Sequence, residues 1–135
     1  MTFIEQVEDL IGDQDSGLDT AILQYLTASA REVQSVLPPR LKMRYGTENV
    51  LNNGNGLDIA DKEAVNIERN GRSVSEVPLG NKADVIDVNS LHFATNRTPI
   101  YYMQGTTLII KPDPSATEVA RLYTLSYPTV ASNDT

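Results

Sequence analysis

The chain has 135 residues, 40% of them apolar, which is enough for one domain with a packed core that needs no disulfide or metal to hold it. It contains no cysteine, so disulfides, thiolate nucleophiles, thiolate metal sites and thiol redox chemistry are excluded together. A formal charge of −7 and a pI near 4.5 exclude attraction to phosphate as the chain's driving force, and nucleic acid is not gripped by such a composition.

Taken in chain order, Thr2 and Glu5 have capping-box spacing, and Phe3, Ile4, Val7, Leu10 and Ile11 fall on one face of a short helix. Gly12 supplies its stop. Asp13-Gln14-Asp15-Ser16-Gly17 reads as an acidic turn and a source of N-caps. Leu18, Ala21, Ile22, Tyr25, Leu26, Ser29, Val33, Val36 and Leu37 then recur at helical steps, which predicts the main helix from about Gly17 to Val36. Pro38 ends it by pushing the preceding residue out of helical geometry. The two helices are expected to pack as an antiparallel pair.

From Pro39 the chain either begins another helical turn through Met43 or runs extended. Arg40, Lys42 and Arg44 make its only basic concentration, after a stretch whose charges before Arg31 are all acidic. Glu48–Leu51 and Gly56–Ile59 flank Asn52-Asn53-Gly54-Asn55, which predicts a turn or hairpin. Ala64–Glu68 reads as a strand, Asn70-Gly71 as a hairpin turn and Ser73–Leu79 as its return. A turn of helix is predicted near Ala83–Asp87. Strands follow at Ile100–Met103 and Thr107–Lys111, joined around Gln104-Gly105, and at Glu118–Tyr127, reached through the rigid Pro112-Asp113-Pro114-Ser115, so that the three are expected to form a meander. This is an α+β pattern: an amino-terminal helical hairpin with one long helix, residues 1–38, packed on a mostly antiparallel sheet, residues 39–128. The small polar tail, residues 129–135, is expected to stay loose until a partner holds it.

No constellation in this sequence carries chemistry, so catalytic, cofactor-binding and metal-binding residues are all expected to be absent. Asp13, Asp15 and Gly17 resemble the opening of a calcium loop, but the glycine comes one position early and Gln24 stands where a bidentate carboxylate is required. Gly54 and Gly56 lack the helix and lysine that a phosphate cradle needs. His92 is the sole imidazole, and Ser90 lies in the same local segment instead of converging on it from elsewhere. Asp84 and Asp87 have the density of ordinary solvated carboxylates. Tyr101, Tyr102, Tyr123 and Tyr127 could stack a sugar or base, yet alternation puts Tyr101 and Tyr102 on opposite faces, so packing at the core and rim is the better reading. Asn96-Arg97-Thr98 matches a glycosylation acceptor, but the acidic start MTFIEQVEDLIG has no secretion pattern. No run approaches the roughly 20 apolar residues that cross a bilayer.

The order of Ala94-Thr95, Pro99-Ile100-Tyr101-Tyr102, Leu108-Ile109-Ile110-Lys111-Pro112-Asp113-Pro114 and a strand closing on Tyr127-Pro128 resembles small virion proteins of tailed bacteriophages. Ala28-Ser29-Ala30-Arg31-Glu32-Val33 and Val36-Leu37-Pro38-Pro39 look like the helix of the same group, the head-to-tail connector or adaptor proteins. The resemblance spans nearly the whole chain and rests on the order and spacing of motifs. It implies a structural virion protein, made in the host cytoplasm and seated in the neck as a ring of roughly twelve subunits templated by the portal. Portal and tail or stopper proteins would be its partners, DNA would pass through without specific binding, and neither enzymatic activity nor a cofactor nor a membrane is involved. Stopper and tail-terminator roles, or a small β-rich carbohydrate- or peptide-binding module, are the alternatives. A ring needs two different complementary surfaces on each subunit, and the acidic first helix and the Arg40, Lys42, Arg44 cluster are candidates.

Overall fold

The computed structural model describes residues 1–12 and 16–131, which form two compact units: the described residues of 1–38 together with 127–131, and Pro39–Ser126. In the helical unit, α1 (Phe3–Ile11) starts at the capping box, where Thr2 Oγ1 accepts from the Glu5 N–H at 3.3 Å and Glu5 Oε2 accepts from the Thr2 N–H. Gly12, at φ 88°, closes α1 with its N–H donating to the Glu8 carbonyl. The long helix α2 (Ser16–Val36) stops before Pro38 as its sequence requires. The acidic turn at 13–15, and with it the N-cap and calcium-loop readings, lies outside the described residues.

The helices touch, but two helices cannot surround both apolar stripes. No residue of α1 is buried, and Leu10 is 85% exposed. On α2, Ala21, Ile22 and Leu26 are half-buried, whereas Leu18, Tyr25, Val33 and Val36 stand exposed. The segment after the last strand lies along α2: Arg31 Nε donates to the Pro128 carbonyl, its guanidinium covers the Tyr127 ring, and the Val130 N–H donates to Thr27 Oγ1. The first residues of the expected loose tail are thus fixed, while 132–135 lie outside the described residues.

In the second unit, α3 (Pro39–Tyr45) is helical, with proline at the first position, where its missing N–H costs nothing. The strands are β1 (Thr47–Leu51), β2 (Leu57–Asp58), β3 (Lys62–Arg69), β4 (Arg72–Ser73), β5 (Ser75–Glu76), β6 (Ile100–Gln104), β7 (Thr107–Lys111) and β8 (Ala120–Ser126), with α4 (Lys82–Ile86) between β5 and β6. They make two sheets, ordered β1-β8-β3-β4 and β2-β7-β6-β5, antiparallel except where β5 runs parallel to β6. The class is α+β.

Three expectations about connectivity are corrected. Asn52-Asn53-Gly54-Asn55 is no hairpin turn, because β1 pairs with β8 and β2 with β7, so the segment carries the chain between sheets. Gly56 makes the crossing possible: at φ 76° it passes so close to β7 that a Cβ would stand 2.3 Å from the Leu108 carbonyl oxygen. Asn70-Gly71 does turn β3 into β4, with φ 50° and 75°, but the return splits after Ser73 as Val74 packs against the core and the chain moves to the other sheet. Likewise β6 and β7 form the expected hairpin, yet β8 inserts between β1 and β3 instead of extending it.

The core therefore lies between the sheets. Leu51, Ile67, Ala120 and Leu122 of the first meet Leu108 and Ile110 of the second. The opposite side of the second sheet is covered within the same unit, where Ile100 and Tyr102 pack with Val85 of α4 and with Ala94.

Candidate functional site

His92 and Asp84 line one small pocket of about 230 Å³ with Val77, Pro78, Asn81 and Ile100. Nearby, Ser90 Oγ accepts from the His92 backbone N–H at 3.1 Å, and Asp87 Oδ1 accepts from the Asn89 N–H at 2.9 Å. Both contacts shape the 87–92 turn. Gly54 approaches Asp113 so closely that a Cβ would meet its carboxylate at 2.7 Å, which puts negative charge where a phosphate cradle needs positive. Asn96 Nδ2 donates to Glu118 Oε1. Among the described residues, no three His, Cys, Asp or Glu side chains group as a metal site, and no helix is long and apolar enough to cross a membrane.

The three tyrosines of the β unit do not share one face. Tyr101 packs against the core between the sheets and Tyr102 is buried on the opposite side, as alternation requires. Tyr123 is half-buried on β8, and Tyr127 belongs to the helical unit beneath Arg31. Burial raises the Tyr101 hydroxyl's pKa above its ordinary value of 10.0, and the carboxylate of Glu76, its register partner on β5, adds to the effect. Tyr101 is therefore a neutral packing residue at physiological pH.

The most elaborate polar arrangement holds the fold together. Arg69 is 1% exposed and reaches the β7–β8 connection, with Nε donating to the Pro112 carbonyl at 2.8 Å and Nη2 to the Asp113 carbonyl at 3.2 Å and to Glu118 Oε2 at 3.1 Å. Arg69 sits on the first sheet, and the loop it holds delivers the chain from the second sheet to the first. The sequence reading passed over it. Its signal was a charge at an inward position, two residues after Ile67, just before a tight turn.

Surface chemistry is distributed more tellingly than any cavity. One basic residue against eight acidic ones puts the helical unit at −7, and ten against ten leaves the β unit neutral, so the chain's whole net charge resides in the former. The basic cluster needs one correction: Lys42 is buried, its Nζ 2.6 Å from Glu63 Oε1, and it anchors α3 to β3. It points inward because α3 turns that side toward β3 and β8. Arg40 and Arg44, one turn apart, face solvent with Leu41, Met43 and Tyr45 beside them, and neither arginine makes an ion pair among the described residues. No protein-family model matches the chain, and no curated protein is significantly similar to it.

Proposed function

We propose that this chain is a structural virion protein of a tailed phage, a head-to-tail adaptor that works by assembling into a ring beneath the portal and extending the DNA channel toward the tail. The observation that carries the reading is the uneven surface: an acidic helical unit with uncovered apolar helix faces, joined to a neutral double-sheet unit. A monomer gains nothing by leaving Leu10, Tyr25 and Val36 in water, whereas a subunit that buries them against neighbours does. The order of motifs that resembles the connector group supplies the identity of those neighbours.

The charge supports the same role. DNA that must slide is not retained by a wall whose net charge is zero or negative. Heterologous closure into a ring requires two unlike surfaces on every subunit, and acidic α1 and basic α3 are unlike in the required sense. The test is the mass of the purified chain, measured alone and after mixing with portal rings of the same phage. Addition of a closed set of subunits to the portal is the expected result; failure to bind portal rings, or turnover of a substrate by the purified chain, would overturn the reading.

A further inference from the structure

We infer that two copies of this chain pair edge to edge through β1, antiparallel about Asn49, so that the first sheet runs on from one copy into the other. The inference goes beyond the ring-forming reading and does not rest on it, since it concerns the purified chain in solution. The edge strands of the two sheets are β1, β4, β2 and β5. Three of them, β2, β4 and β5, are two residues long, and shortness is one way a sheet blunts an edge. β1 differs. Its five residues lie along β8 in unbroken register, with no proline, lysine or bulge. Its one charge, Glu48, is already matched within the chain by Arg121 at 3.2 Å.

The neighbouring strands fix which backbone groups of β1 face outward. The Ile67 carbonyl accepts from the Val74 N–H, so the backbone groups of Ile67 point away from β8. Leu122, opposite Ile67, therefore turns its own groups toward its other partner, Asn49. Glu48 and Val50, on either side of Asn49, then direct their N–H and C=O groups to the open edge, where no backbone partner meets them among the described residues. Both residues are exposed, Val50 at 57%. Such a row of alternating donors and acceptors is satisfied by another extended strand.

A second copy of β1 is that strand, because it is self-complementary in one register. Outward residues must face outward residues. Glu48 opposite Glu48 would overlap only 47–49 and set like charges together, and Val50 opposite Val50 would overlap only 49–51. Glu48 opposite Val50 of the second copy overlaps the whole of 47–51, pairs every outward group and keeps the two Glu48 carboxylates apart. The β unit is also neutral, ten basic residues against ten acidic, so two of them approach without net repulsion. The contact uses β1 of both copies and closes at two.

Because the chain has no cysteine, the register can be read by cross-linking. Full-length Glu48→Cys and Val50→Cys variants are prepared separately, mixed and oxidised. The new thiols then sit on facing residues whose Cα atoms are about 5.5 Å apart, within disulfide range, whereas like pairs stand diagonally about 7–8 Å apart. The mixed disulfide is expected in several-fold excess over the two like pairs together, which chance pairing would only equal. Sedimentation equilibrium of the parent chain is expected to show a dimer that dissociates on dilution. Val50→Pro removes an outward N–H that the single chain does not use, and it should stay monomeric where the parent pairs. A parent that is monomeric throughout, a Val50→Pro chain that pairs like the parent, or a mixed disulfide no more abundant than chance would overturn the inference. Circular dichroism confirms that each variant is folded, and the cysteine pair, which changes exposed side chains, decides the matter if the proline variant does not fold.

Discussion

Replacing Arg69 by Met tests the clamp between the two sheets. The Met side chain keeps most of the buried stem's volume but offers no donor, so the carbonyls of Pro112 and Asp113 lose bonds of 2.8 and 3.2 Å. Each of these part-buried acceptors costs about 1–3 kcal/mol when left unpaired. Glu118, whose side chain is 34% exposed, rehydrates on losing its partner, so that ion pair contributes under about 1 kcal/mol. Against these losses stands relief from desolvating a guanidinium whose Nη1 is buried with no partner among the described residues. The balance is a destabilisation of about 2–3 kcal/mol, or about 10 °C in melting temperature for a chain of this length. Thermal and urea unfolding followed by near-ultraviolet circular dichroism read it directly, with Glu118→Gln as the comparison, expected to cost under about 1 kcal/mol. A variant as stable as the parent, or a Glu118→Gln loss equal to that of Arg69→Met, would refute the reasoning.

Other perturbations follow from the same geometry. Gly56→Ala forces a side chain onto the Leu108 carbonyl at φ 76° and should cost about 3 kcal/mol or prevent folding of the β unit, read as a fall in urea midpoint. Thr2→Ala removes the α1 cap and should raise the local opening of α1 by about 1 kcal/mol in amide hydrogen exchange, leaving the β unit unchanged. Glu5's pKa lies below its ordinary 4.5, chiefly because its carboxylate accepts from the Thr2 backbone N–H. A carboxylate lowered on folding stabilises above its unfolded pKa, so protection of α1 should hold above pH 4.5 and fade as pH falls through Glu5's own lower value. Tyr25→Ser with Val36→Ser, at positions 76% and 75% exposed, should change unfolding by about 0.5 kcal/mol or less each. A larger loss would mean those stripes are already covered within one chain.

Much of the local structure was legible because short-range chemistry decides it. Thr2 and Glu5 at capping spacing, Gly12, Pro38 before the end of the helical stripe, and Asn70-Gly71 each act on neighbours in sequence, and each stands where it was expected. What escaped was long-range pairing. The alternation of β8 satisfies either sheet, while Arg69 holds the β7–β8 connection and Gly56 passes close over β7 on the earlier crossing, contacts that join residues far apart in sequence. Periodicity identified the apolar stripes of α1 and α2 but could not say whether anything covers them. Lys42 shows the same limit for charge, since a lysine between two arginines looks solvated until α3 turns it onto Glu63. That Ser90 lies in the same local segment as His92 was legible in the sequence, and there its Oγ accepts from the His92 N–H.

The central claim, that this subunit acts by building a ring in the phage neck, is tested most directly by counting the chain in purified, intact particles by quantitative mass spectrometry against the portal protein. The account predicts a fixed ratio near one copy per portal subunit, a ring of roughly twelve. A chain absent from particles, or present in no constant proportion to the portal, would contradict it.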